Sequence, residues 1–187
     1  MRNAATLALL ALACGCSPSG NGSIRTVAAI EVPLDTKADY DDLIRLMRRL
    51  ADDNGMHADD ASEKWAAFQR SLPADEPVDT RATIYLGVWR GSRDDDLEVS
   101  VTDMLHLQRA WVTFLQDGRE DLPAAQREQA LAAIKRRWPN AQSVPVLPSG
   151  GQPHAEDLRS TRQGYRIIAS AAARYGLPAT SPLLTRH

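Results

Sequence analysis

Two runs of alternating apolar and other residues, within 82–102, dominate the hydrophobic pattern of the chain. The apolar members are Ile84, Leu86, Val88, Leu97, Val99 and Val101. The residues between them are Tyr85, Gly87, Trp89, Glu98, Ser100 and Thr102. Successive side chains of a strand point to opposite faces, so each run predicts a strand with one apolar face. Because a polar loop, 91–96, joins the runs, we predict a β-hairpin.

A strand and a helix are predicted upstream of this hairpin. Residues 24–32 alternate in polarity until Pro33 ends the pattern. Asp39, with Asp42 three residues later, predicts a helix N-cap. The helix stripe is Leu43, Met47 and Leu50. Asn54-Gly55 is typical of a glycine-terminated helix end.

Further helices follow from apolar positions spaced three and four residues apart. We predict a helix from Asp59 or Asp60 to Ser71, a second from about 103 to 117, and a third over 121–138. The stripe of the second is Met104, Leu107, Trp111, Phe114 and Leu115. A last strand is predicted at 143–147. Because Pro145 has no N–H to donate, this strand belongs at a sheet edge.

The predicted order is strand, helices, strand, strand, helices, strand. This order is typical of an α+β fold with a ferredoxin-like (split β-α-β) antiparallel sheet. Helices would cover one face, and each crossover would contain two of them. After a break at 149–153, an amphipathic helix is predicted at 158–175. The predicted organisation is a signal peptide at 1–16, a flexible tether at 17–23, the ferredoxin-like domain at 24–148, and a C-terminal helix with an irregular tail at 152–187.

Composition and charge narrow the possible partners. The 187 residues are 43% hydrophobic and 25% charged, as in soluble globular domains. Basic and acidic side chains, 22 and 24 in number, are interspersed and leave a net charge of −2. Nucleic-acid-binding proteins concentrate positive charge on one face, so no nucleic acid is expected as a partner. Both cysteines lie in the N-terminal segment, so the folded part has no disulfide framework.

The N-terminus has the features of an export signal. Met1-Arg2-Asn3 is a short basic region, and residues 4–13 are an apolar run too short to span a bilayer. The run ends in Ala-Leu-Ala-Cys-Gly-Cys at 11–16, which resembles the lipobox of bacterial lipoproteins. The resemblance implies a lipid-anchored (palmitate-type) envelope protein, on the periplasmic side or in the outer membrane. Cys16, between Gly and Ser, is the favoured lipidated residue, and Cys14 stays open.

A plain secretory signal cut near Ala13 is the alternative interpretation. It would make the protein secreted or soluble in the periplasm. The two cysteines could then pair with each other or with a partner.

The reverse face of the hairpin is the candidate binding face. Tyr85 and Trp89 share that face with Glu98 and Ser100, and Gly87 leaves room between the aromatic positions. Tyr and Trp are frequent anchors at protein interfaces, so we expect a protein or peptide to dock here. The face also resembles the RNA platform of the RRM fold, but the strands lack its RNP signatures. Alternatively, the predicted C-terminal helix covers these aromatic residues and makes them core.

No metal or cofactor site is predicted. Asp52, Asn54 and Gly55 match three positions of an EF-hand loop, but Leu50 and Ala61 stand where its first Asp and bidentate Glu belong. The histidines, with no metal-binding spacing between them, are His57, His106, His154 and His187.

We found no catalytic motif, so catalysis is not expected. The sequence therefore predicts an envelope protein that binds another protein as an immunity or accessory module. One alternative is a hydrolase or other enzyme whose site assembles only in three dimensions, with His106 or His57 beside carboxylates. A structural homo-oligomer is the other.

Overall fold

A computed structural model of the chain describes residues 24–71, 85–89, 97–103, 108–116 and 124–185. These residues form a mixed α+β fold around a six-stranded sheet in the order β2-β3-β4-β5-β1-β6. Its strands are β1 Arg25–Pro33, β2 His57–Asp60, β3 Tyr85–Trp89, β4 Leu97–Asp103, β5 Arg109–Gln116 and β6 Gln142–Val144. Every neighbouring pair in this sheet is antiparallel.

The two paired strands of the predicted hairpin are confirmed as β3 and β4, while Ile84 and the loop 91–96 lie outside the described residues. Leu86 pairs with Val101 and Val88 with Val99, as the alternation requires. A bulge follows Val88 and places Trp89 opposite Leu97. The predicted first strand is also confirmed, as β1. The apolar residues of β3 and β4 are buried in the main hydrophobic core.

Three α-helices lie in the described ranges: α1 Lys37–Asp53, α2 Ser62–Ser71 and α3 Ala124–Arg137. Helix α1 starts earlier than predicted, because Thr36 is the N-cap and Asp39 is the third helical residue. The Thr36 side chain accepts from the Asp39 N–H, and the Asp39 carboxylate accepts from the Thr36 N–H, which completes a capping box. Within the described ranges, no helix is both long and apolar enough to cross a membrane.

Helices α1 and α3 cover one face of the sheet. Their buried residues Leu43, Met47 and Ile134 pack against the inward side chains of the strands. The buried strand residues on this face are Ile30, Val32, Leu86, Val88, Val99, Val101, Ala110, Val112 and Phe114. This layer is the main hydrophobic core, and it leaves the reverse face of the sheet for other segments.

The helix predicted over 103–117 is wrong in its described part, because Arg109–Gln116 is strand β5. Met104 and Leu107 of its predicted stripe lie outside the described residues. Strand β5 lies between β4 and β1, near the middle of the sheet. Val112 and Phe114 enter the core, and Trp111 is buried on the other face. A strand buried on both faces has apolar residues in succession, and such a run lacks the period-two signal.

The helix predicted from Asp59 or Asp60 starts at Ser62, because His57–Asp60 forms the edge strand β2. The Ser62 N–H donates to the Asp60 carboxylate at 3.1 Å. The first crossover therefore contains α1, β2 and α2, while β5 and α3 lie between β4 and β6. A ferredoxin-like arrangement is not confirmed, because β5 separates β1 from β4.

The C-terminal amphipathic helix predicted at 158–175 is also wrong. Leu158–Thr161 (β7) and Gly164–Ile167 (β8) form a two-stranded antiparallel sheet, and Ala169–Tyr175 is a 3-10 helix. Gly164 has φ +114°, a conformation that glycine adopts without steric cost. The small core of this segment consists of Leu147, Ile167, Ala171, Leu177 and Leu184.

The edge position of the last strand is confirmed, because β6 pairs only with β1 in the six-stranded sheet. The predicted bounds of 143–147 are wrong, since β6 covers Gln142–Val144 and Pro145 lies just beyond it. The β7–β8 hairpin lies beside it. Gly164 comes so near that an added Cβ would lie 2.8 Å from the Ser143 carbonyl oxygen. The hairpin is therefore seated against the β6 edge.

Candidate functional site

The reverse face of the sheet can be followed as a row of paired residues across all six strands. In the order of the strands, the row is Asp59, Gly87, Ser100, Thr113, Ala29 and Val144. Directly paired residues share a face. Exposure along the row therefore shows which part of the face is covered.

Exposure falls from one end of this row to the other. Asp59 on β2 is exposed, and Gly87 and Ser100 are half-buried. At the other end Ala29 and Val144 are each 4% exposed. The residues packed on that end come from the C-terminal segment and are Ala155, Leu158 and Tyr165. Residues 152–175 thus lie over the β5-β1-β6 half of the reverse face, and we call this segment the cover.

A polar cluster holds this cover on the sheet, and its acceptor is Glu31 on β1. The Trp111 indole N–H donates to Glu31 Oε2 at 2.9 Å. The Tyr165 hydroxyl donates to Glu31 Oε1 at 2.6 Å, and Arg109 Nη1 donates to the same oxygen at 3.0 Å. The Glu31 side chain is 12% exposed, so its charge needs these donors. We call these four residues the Glu31 cluster.

The Glu31 cluster keeps the Tyr165 phenol protonated. Burial, followed by the hydrogen bond to the Glu31 carboxylate, raises the pKa of Tyr165 to about 12. The hydroxyl also accepts from Arg109 Nη1 at 2.7 Å. Tyr165 is therefore a neutral donor throughout the physiological pH range, which suits a structural bond between cover and sheet.

Two more side-chain bonds fasten the cover. The Gln152 amide donates to the Thr113 hydroxyl at 2.8 Å, at the inner boundary of the covered half. The Ser160 hydroxyl donates to the Gln142 side chain at 2.8 Å, next to the β6 edge. The cover is thus attached to three strands: β1, β5 and β6.

A second buried carboxylate stabilises the cover internally. Asp157 is 5% exposed, and its Oδ2 accepts from Arg174 at 2.7 Å and from the Tyr175 hydroxyl at 2.5 Å. The Tyr175 hydroxyl accepts from the His154 N–H at 2.9 Å. Burial and the bond to Asp157 raise the pKa of Tyr175. These contacts join the start of the cover to the end of its 3-10 helix.

The structure gives the strand position of all four predicted binding residues, but it describes the side-chain burial of Ser100 alone among them. Ser100 lies on the reverse face, paired with Gly87 and Thr113. Tyr85 and Trp89 lie in β3 and Glu98 in β4, and the surroundings of these three side chains lie outside what the structure describes. A second row across the face is Tyr85, Thr102, Trp111, Glu31 and Gln142.

Sequence reasoning missed Trp111 as a reverse-face residue, because it placed Trp111 in a helix. It also missed Glu31 and Tyr165. The hydrogen bond between these two spans 134 residues of sequence, and no local pattern reports it. The only signal available was the dense apolar character of 110–115, typical of a strand buried on both faces.

The residues considered for metal binding have local structural roles. The Asn54 side chain donates to the Leu50 carbonyl at 2.7 Å, and Gly55 has φ +65° at the end of α1. His57 is exposed on β2. In the described ranges, no three His, Cys, Asp or Glu residues are grouped to hold a metal ion. Cys14, Cys16 and His106 lie outside those ranges.

Comparison with protein-family models, with curated proteins and with solved structures found no match for this chain.

Proposed function

We propose that this chain is a lipid-anchored envelope protein that binds another protein through the β2-β3-β4 half of the reverse face. The supporting observation is the difference between the two halves of that face. Ala29 and Val144 are buried beneath the cover, whereas Ser100 and Gly87 keep part of their surface exposed. Among the described residues, the C-terminal segment lies over one end of the face, and the other end offers a partner a flat surface beside this boundary.

The residue types on this half suit a protein partner. Gly87 and Ser100 are small, so a partner can approach the backbone of β3 and β4 closely. The same strand, β3, contains Tyr85 and Trp89, residue types that often dominate binding energy at protein interfaces. The proposed site therefore combines aromatic anchors with small neighbours.

The sheet supports a related proposal about its architecture. We propose that it is an enlarged split β-α-β sheet, with β5 inserted and β2 added at an edge. The remaining strands follow the order β3-β4 and β1-β6 on the two sides of β5.

The lipid anchor is proposed from the lipobox-like residues 11–16, and labelling can test it. Cells supplied with radioactive palmitate should label the natural chain, and Cys16→Ser should abolish the label while Cys14→Ser retains it. The acyl chain needs a thiol at the processed N-terminus, which is why one substitution alone should matter. Labelling that survives Cys16→Ser but not Cys14→Ser would move the anchor to Cys14. No label in the natural chain would refute it.

Protein binding can be tested by photo-crosslinking in intact cells. A photoreactive amino acid at Ser100 should yield one discrete heavier adduct with a second protein. The same probe at Arg49, exposed on α1, should not yield that adduct, because α1 lies on the opposite face of the sheet. An adduct of twice the chain mass would indicate a homo-oligomer instead. Identical adducts at both positions, or none at Ser100, would contradict the proposed site.

A further inference from the structure

The β7–β8 hairpin bears three arginines: Arg159, Arg162 and Arg166. The register places Arg159 directly opposite Arg166. Like charges in direct cross-strand positions destabilise a strand pair, so this arrangement costs the hairpin stability unless an anion is near. Arg162 lies in the turn between the two strands. We call these three residues the arginine face.

The arginine face lacks compensating carboxylates in the part of the chain that the structure describes. Arg159 and Arg162 are exposed, and no salt bridge joins them to an acidic side chain there. Arg166 donates to the Pro182 carbonyl and, at 3.4 Å, to the Gln163 side chain, both of which are uncharged.

The wider C-terminal segment is basic within an acidic chain. Residues 145–187 contain five arginines and only two acidic residues, while the whole chain has a net charge of −2. Both acidic residues, Glu156 and Asp157, lie within 4 Å of Arg174. Positive charge is therefore concentrated on the hairpin.

We propose that the arginine face binds the phosphates of an anionic bilayer surface. The guanidinium group matches phosphate oxygens in a two-pronged geometry, and it is always charged. The proposed anchor holds the domain beside a bilayer, and exposed basic side chains close to such a surface are attracted to its anionic headgroups. This inference rests on the proposed anchor.

The length of the tether supports a membrane as the occupant. From Cys16 to Ile24 the chain can span at most about 26–29 Å. Strand β1 begins at Arg25, and the distance along the strand from Arg25 to Ile30 is about 17 Å. Ile30 pairs with Ser143, and Gly164 of the hairpin lies against Ser143. The hairpin is thus close enough to reach the surface that holds the anchor. Tethering raises the effective concentration of that surface, so a few weak contacts suffice.

The test uses the chain from Cys16 to the C-terminus, which retains every described element. Cys16 is its only cysteine, so its thiol can be coupled to a maleimide lipid in vesicles. Phenylglyoxal modification of arginines is then followed by mass spectrometry. On vesicles with one third phosphatidylglycerol, Arg159 and Arg162 should react at least fivefold more slowly than on phosphatidylcholine vesicles. Salt at 0.5 M should remove this protection, because it screens exposed charges. Arg49, on the other face of the sheet, is the internal control and should react equally on both.

Equal rates for Arg159 and Arg162 on the two kinds of vesicle would overturn the proposal. So would an equal slowing of Arg49, since contact would then not be specific to the arginine face. Protection only after an acidic protein is added would assign the face to a protein instead. Because a synthetic lipid replaces the natural anchor, failure here leaves the palmitate result unaffected. If palmitate labelling failed but Arg159 and Arg162 were still protected on anionic vesicles, the anchor proposal would be refuted and membrane binding by the arginine face would stand.

Discussion

Trp111→Ala is expected to lower the free energy of unfolding by about 3–5 kcal/mol. The Trp111 ring is 3% exposed in the middle of the sheet, between the strand layer and the cover. The substitution leaves a cavity at that boundary and removes one of the donors to Glu31. Urea unfolding followed by circular dichroism measures the loss. Amide exchange should also show faster opening over 155–167 than over α1, because the cover loses its contact with the Trp111 ring.

Tyr165→Phe is the matched control, since it removes one donor to Glu31 and keeps the aromatic ring. It should cost about 1.5–3 kcal/mol, the range for a hydrogen bond to a charged group. If Trp111→Ala cost less than Tyr165→Phe, the Trp111 ring would not be the main contact between cover and sheet. The assignment of the covered half would then be wrong.

Gly164→Ala is expected to cost about 2–4 kcal/mol and to loosen the β7–β8 hairpin from the β6 edge. Its φ of +114° strains any side chain, and the new Cβ would meet the Ser143 backbone at 2.8 Å. Backbone atoms of a sheet edge cannot move aside cheaply, so the hairpin must shift. Urea unfolding and amide exchange over 158–167 measure the two effects.

Gly176→Ala separates backbone strain from steric contact. Gly176 also has positive φ, at +62°, but nothing lies within 4 Å of an added Cβ. This variant should cost only about 1–2 kcal/mol, the penalty for a left-handed residue with a side chain. Equal losses in both variants would mean that the contact with Ser143 contributes nothing to the Gly164 effect.

The sequence predicts an element well where burial is one-sided. Strands β3 and β4 bury one face under the helices, so their apolar residues alternate cleanly and the hairpin is read correctly. Helix α1 is read correctly for the same reason, although its start lies at Thr36 rather than Asp39. The last strand lies at the sheet edge as predicted, but it ends at Val144, so the missing N–H of Pro145 is not part of its ladder.

The prediction fails where two segments cover one strand from both sides. Strand β5 buries Phe114 on one face and Trp111 on the other, and the resulting apolar run also fits a helical stripe. The helix prediction for 158–175 is wrong for a different reason, because the apolar spacing of three and four residues in this segment matches a helix by coincidence. The segment forms a hairpin instead, in which Leu158 pairs with Ile167 and Gly164 follows the turn.

The features of the candidate site also separate into those visible in local sequence and those that depend on the tertiary structure. Local sequence contained the lipobox-like segment and the alternating residues of the β3–β4 hairpin, because short-range spacing encodes both. Tertiary structure was needed to show that the reverse face is covered over Ala29 and Val144 but remains partly exposed at Ser100. It was also needed to bring Glu31 to Tyr165 and to seat the β7–β8 hairpin, which bears the arginine face, against the β6 edge. Those contacts depend on strand order and on a distant segment folding back, and residue periodicity carries information about neither.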